Sequence, residues 1–213
     1  MRSRKYTQTL DLNHYSELER MALDRGVTLQ QVLRAVVIPE WMAGRDSPEP
    51  SREFVVAHGE GKRVHLGGVG VVFKVSGKDT NGAFSIVEHP LKPRTLARPH
   101  LHEGTDEFTF VVKGRIGARI GDRILDATPG CYVLKPRGIP HTFWNPGDRP
   151  ARLVEIISPA GFEHFFDEAS KLFLQGPPEV QKVAEVAGRY QTILGWEDWI
   201  PELTAKYKLR LVG

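Results

Sequence analysis

From about residue 54 to residue 158 the chain breaks into short β-type runs, each closed by Gly, Asp, Asn or Pro. The runs are GVGVVFKV, AFSIVEH, EFTFVVKG, RIGARIGD, RILDA, CYVLKP, HTFWN and ARLVEIIS. Eight short strands at this spacing predict a sandwich or barrel. The class is mainly β, and everything else in the chain has to be fitted around that sheet structure.

The flanks read differently. Residues 1–42 give one short strand and two helices. In KYTQTLDL, Tyr6, Gln8, Leu10 and Leu12 alternate with Lys5, Thr7 and Thr9. In NHYSELERMALDRG, Tyr15, Leu18 and Ala22 share a helical face, with Asn13 as N-cap and Gly26 as stop. A second helix starts at Thr28, which stands three residues before Gln31 in capping-box spacing. Its apolar stripe is Leu29, Val32, Leu33 and Val36, and Pro39 ends or kinks it. Residues 43–53 are polar and rich in turn formers, hence a linker. The barrel region spans 54–160. From 161 to 213 the pattern is helical, and Phe162, Phe165, Phe166 and Phe173 form a face that would dock on the barrel.

Composition narrows the surroundings. Apolar residues make up 40% and charged residues 26%, with a net charge of +3, a globular composition that does not by itself call for nucleic acid. A lone cysteine, Cys131, cannot form an internal disulfide and is read as a small buried hydrophobe in a reducing compartment. No apolar run reaches membrane-spanning length and no signal-peptide core is seen, so the expectation is a cytoplasmic protein with no membrane partner.

The chemistry concentrates in RPHLHEGTDEFTFVVKG and GCYVLKPRGIPHTFWN. Residues two apart in a strand face one way, so His100 and His102 point to the same side. Glu107 follows a Gly-containing turn, and a hairpin there would bring its carboxylate back to both imidazoles. His141 opens a strand after the Pro136–Gly138 turn. Three imidazoles and a carboxylate suit one divalent transition metal: Fe, Mn, Ni, Co, Cu or Zn. By parity with the ligands, Phe143, Thr109 and Val111 are expected to line a substrate pocket. Phe108, Phe110 and Tyr132 are expected to be packing residues. His58, His65, His89 and His164 have no motif around them, and GEGKRVHLGGVG lacks the strand–loop–helix setting of a phosphate site.

These residues resemble the two motifs of the cupin superfamily: His100, His102, Glu107 and Gly114 in the first, Gly130, Pro136, Gly138, His141 and Asn145 in the second. One departure is Arg94, where the family often has glycine. The resemblance covers roughly residues 60–160. It implies a double-stranded β-helix, the jelly-roll or cupin barrel, with a metal inside it. The flanking sequence is similar to small bacterial cupins related to quercetin-type dioxygenases. That likeness implies a dioxygenase-like oxidoreductase acting on a small oxygen-rich or aromatic compound, with Glu107 able to leave the ion and serve as catalytic base. A metal-dependent isomerase or lyase is a further alternative, and a homodimer is expected.

Residues 1–38 also resemble the ribbon-helix-helix DNA-binding family, in which two paired strands enter the major groove. The base- and phosphate-contacting positions would be Arg4, Lys5, Thr7 and Thr9. Gln8 departs from the apolar pattern of that family, and the basic surplus is small, six Lys+Arg against four Asp+Glu. The chain would then be a regulator whose barrel senses a small-molecule effector. Docking or dimerisation is the other use for this segment.

Overall fold

In a computed structural model the described residues are 12–24, 26–33 and 55–212. The expected N-terminal strand with Arg4, Lys5, Thr7 and Thr9, the linker and Pro39 lie outside them. The chain divides into two compact units, 1–52 and 53–213.

In the first unit, α1 spans Leu12–Asp24 and α2 spans Leu29–Val32. The first helix starts ahead of Asn13, which is therefore within it rather than its cap. Gly26 does end it: at φ +62° it takes the left-handed conformation, and its N–H reaches the Leu23 carbonyl. The capping box of α2 is present in both directions, Gln31 N–H to Thr28 Oγ1 and Thr28 N–H to Gln31 Oε1.

The second unit holds two sheets. Its strands are β1 (Arg63–Leu66), β2 (Val69–Val75), β3 (Ser85–Leu91), β4 (Thr95–Ala97), β5 (His100–His102), β6 (Asp106–Lys113), β7 (Ile116–Ile120), β8 (Arg123–Ala127), β9 (Tyr132–Lys135), β10 (His141–Trp144), β11 (Ala151–Ser158), β12 (Thr192–Leu194) and β13 (Arg210–Val212). One sheet has the order β1-β2-β3-β11-β6-β9. The other runs β12-β5-β10-β4-β13, with β7 paired to β10 and β8 to β7. All eight runs read from the sequence are strands, in a jelly roll with mostly antiparallel pairing. The helices α3 (Glu163–Ser170), α4 (Val180–Gly188) and α5 (Trp199–Tyr207) follow the barrel strands.

Strict alternation builds the interior. Along β11 every second residue is buried, Ala151, Leu153, Glu155 and Ile157. Deep in the barrel Leu91, Val111, Ile116, Val133 and Leu153 pack together. Phe162, Phe165 and Phe166 pack with Leu66, Val87, Ile157 and Val183, so the helical face docks as its spacing predicts. Trp144, Leu96, Trp199, Leu203 and Leu209 form a third cluster. Phe108 and Tyr132 correct the packing expectation: they are 42% and 78% exposed, because their parity is opposite to that of Glu107 and Val133. The segment after 161 also departs from a purely helical reading. Its β12 pairs with β5, setting Thr192 opposite His102, and its β13 pairs in parallel with β4.

The non-glycine residue at 94 keeps the turn. Arg94 sits at φ +57°, a conformation disfavoured for a residue with a Cβ. Its guanidinium offsets that strain, donating to Asp148 Oδ1 from Nε and Nη2 and to the Tyr207 carbonyl from Nη1.

Candidate metal centre

His100, His102, Glu107 and His141 converge: one donor atom from each lies within 4.8 Å of the others. The register explains it. His100 and His141 are direct partners across β5 and β10, and the HxH parity adds His102. Glu107 comes from β6 of the other sheet. Gly138, at φ +72°, makes the turn before β10, and its N–H donates to the His102 carbonyl at 2.7 Å. That bond ties the second ligand segment to the first. Asn145 closes the far end, its Nδ2 donating to the Lys92 and Arg149 carbonyls.

Hydrogen bonds fix the tautomer of each ring. Nδ1 of His100 faces the Arg98 carbonyl at 2.7 Å, and Nδ1 of His141 faces the Ile139 carbonyl at 3.0 Å. A carbonyl only accepts, so each Nδ1 carries the proton. Nδ1 of His102 lies 2.8 Å from Thr192 Oγ1, which itself donates to the Tyr190 carbonyl. The threonine therefore accepts from His102. All three Nε2 atoms are left with lone pairs, the arrangement of metal-bound histidines.

Nε2 of His102 and of His141 are buried and have no hydrogen-bond partner. Each stands 3.4 Å from a Glu107 oxygen, Oε1 and Oε2 respectively. Burial holds the His100 and His141 rings below their ordinary pKa, hence neutral. At His141 the lone pair of a neutral nitrogen then faces the Glu107 carboxylate with no proton between them. A bound cation would engage those lone pairs, and the donor set fits a divalent transition metal. The cluster could hold such an ion.

Sequence reading missed the group beneath Glu107. Lys135, its register partner on β9, is 1% exposed, and its Nζ lies 2.7 Å from Glu107 Oε2 and 2.9 Å from Glu155 Oε2. The ammonium also sits 5.0 Å from the centre of the Phe143 ring. Burial alone would raise the Glu107 carboxyl, but Lys135 and His102 outweigh it and hold it well below the usual range. Burial alone would lower the Lys135 pKa, and the two carboxylates outweigh it and raise it. Burial pushes Glu155 up to about 7, with Lys135 only partly opposing. A charged residue at inward parity, Glu155 between Leu153 and Ile157, was the available signal.

Beside the ligands lies a chamber of about 80 Å³, to which His100 and Glu107 contribute. Phe143 lines it, as expected. Thr109 and Val111 do not. The Thr109 hydroxyl donates to Glu155 Oε1 at 2.8 Å, and Val111 is packed in the deep core. Phe162 stacks edge-on to His102 with ring centres 4.2 Å apart, so the helical segment also walls the site. His89, which no motif marked, lines the chamber too. Its Nδ1 is 2.9 Å from the Gly70 carbonyl, and burial lowers its pKa to about 4. His65 is exposed and is no ligand.

Residues 88–157 match the cupin domain family. They form a cupin domain. No curated relative matches the chain. Solved structures similar to this cupin include KdgF from a Halomonas species, at 16% identity and TM-score 0.47, covering 54% of this chain and 99% of that one. The polyketide cyclase RemF from Streptomyces resistomycificus is 22% identical, with TM-score 0.44 and coverage of 49% and 78%. A cupin domain of an XRE family transcriptional regulator from Enterobacter cloacae is 20% identical, with TM-score 0.39 and coverage of 43% and 96%. At these identities and scores the neighbours assign no reaction to this cupin. Among the described residues no helix is long and apolar enough to cross a membrane.

Proposed function

We propose that the cupin domain is a metal-dependent enzyme, an oxidoreductase of dioxygenase type acting on a small oxygen-rich or aromatic compound. The observation that carries this reading is the convergence of three tautomer-fixed Nε2 atoms on the Glu107 carboxylate at the edge of an apolar chamber. A divalent transition metal held there would supply Lewis-acid and redox chemistry.

The chain's own residues have separable tasks. His100, His102 and His141 would hold the ion through Nε2, with Glu107 as the fourth ligand. Lys135 keeps Glu107 in place by its contact with Oε2. It thereby opposes the detachment that a base role for Glu107 would need. Phe162 shields the His102 ring from water. His89, neutral and fixed through Nδ1, presents Nε2 as an acceptor for a substrate hydroxyl.

The test is elemental analysis of protein purified without added metal, followed by oxygen uptake with the metal found. Uptake is expected with a small diol or enol. Stoichiometric metal with no uptake across such a panel removes the oxidoreductase reading and leaves the isomerase or lyase alternative.

A second reading, a small-molecule-responsive regulator, is favoured by the α1–Gly26–α2 unit with its complete capping box. A salt-dependent gel shift on upstream DNA is expected if it holds. Absence of binding at low salt, where phosphate contacts are strongest, would remove it.

A further inference from the structure

The chamber beside the candidate ligands is walled almost wholly by carbon. Phe143, Phe162, Phe165 and Phe166 surround it, with Leu66 and Val183 between them, and all six are buried. The polar groups that reach it are mostly engaged elsewhere. Thr192 is tied to His102 and Tyr190, Glu155 to Lys135 and Thr109, and Arg98 to Glu197 at 2.6 Å. That leaves His89, flanked by the Phe143 and Phe166 rings, and the ligand end at His100 and Glu107.

Size restricts the occupant further. The chamber measures about 80 Å³, whereas an apolar cavity of about 150 Å³ holds benzene. A polyol or sugar phosphate would press hydroxyls against phenyl faces without partners, and each such hydroxyl lowers affinity roughly tenfold. A fused aromatic system is larger than that space. An adjoining cavity of about 290 Å³, lined in part by Phe173, Pro177 and Pro178, shares Arg98 and Val212 with the chamber. None of the candidate ligands lines it.

We infer that this cupin selects a small compound whose oxygens are gathered at one chelating end and whose remainder is a compact hydrocarbon body of a few carbons. The inference rests on the metal reading proposed above, and narrows it from oxygen-rich or aromatic compounds in general.

The test uses the full chain loaded with cobalt(II) and titrated with hydroxamates, which share one bidentate oxygen head and differ in body. Binding is read from the cobalt absorption spectrum, not from turnover. Isobutyrohydroxamate, with two more carbons than acetohydroxamate, is expected to bind roughly tenfold tighter. Gluconohydroxamate, a polyol, is expected at least tenfold weaker than acetohydroxamate. Naphthohydroxamate is expected not to bind, and to gain affinity in Phe166→Ala. The wild-type series alone decides the matter should that variant not fold. Affinity independent of the body, or preference for the polyol, overturns the inference while leaving the metal reading intact. Failure to take up cobalt at all overturns the metal reading, and the inference falls with it.

Discussion

The barrel interior has two halves that are equally buried and held by different forces. In the deep half, Leu91, Val111, Ile116 and Leu153 pack with no polar atom among their side chains. In the site half, His102, His141, Glu107, Lys135 and Glu155 are each no more than 3% exposed. The strands that build the halves are the same: β6 carries Glu107 and Val111, β9 carries Lys135 and Val133, β11 carries Glu155 and Leu153. Alternation decides only which residues point inward. Whether the inside is held by close packing or by matched charge depends on single positions along one strand.

The largest expected effect breaks the charged half. In metal-free protein, Lys135→Met leaves two buried carboxylates without a cation and is expected to cost about 3–5 kcal/mol in denaturant unfolding at neutral pH. The loss should shrink on acidification, as the carboxyls take up protons. A loss that does not change with pH would mean that Lys135 acts through packing alone.

Leu153→Ala probes the other half. A cavity there is expected to cost about 3 kcal/mol, with less pH dependence than Lys135→Met, since its register partners are Val111 and His89, and His89 is neutral when folded. Urea titrations at two pH values check both variants side by side.

His89 sharpens the comparison because it is a titrating group set among phenyl rings. Its imidazole is neutral when folded, with a pKa of about 4, while the unfolded chain takes up that proton near 6.5. Its contribution is therefore fully present above about pH 6.5 and is lost as pH falls toward 4. At pH 5 the loss amounts to about 2 kcal/mol. His89→Phe should lose less stability than wild type between pH 6.5 and 5. An unchanged acid slope would show that the ring does not titrate in this window.

The smallest expected effect is Thr192→Val. The isosteric change removes the acceptor for His102 Nδ1 and should weaken metal binding by about tenfold. Competition with a chromophoric chelator measures it, and unaltered affinity would show that the threonine does not orient the ring.

Much of this site was legible from local spacing. The His100/His102 parity and the Gly138 turn bring ligands together without knowledge of the whole sheet. Lys135, Glu155, His89 and Thr192 were not legible, because each is a single residue whose meaning depends on long-range register. Glu107 meets Lys135 because β6 pairs with β9, and His102 meets Thr192 because β12 pairs with β5. The three-residue strands β12 and β13 lie among helices and are too short to declare a period of two. Thr109 and Val111 show the converse limit: inward parity was read correctly, yet one was taken up by Glu155 and the other by the deep core. Arg94 stands where the resembled family often has glycine, and its hydrogen bonds to Asp148 and Tyr207 retain the turn all the same.

The bond between His102 and Thr192 joins residues 90 positions apart. Four donor groups are translated by residue 141, but the prop that orients one of them emerges some fifty residues later. An ion that arrives early meets a ring still free to choose its tautomer, so full grip on the cation is among the last properties a growing chain acquires. A fragment cut at residue 157 would carry every candidate ligand and is expected to hold an added ion less firmly than the 213-residue chain.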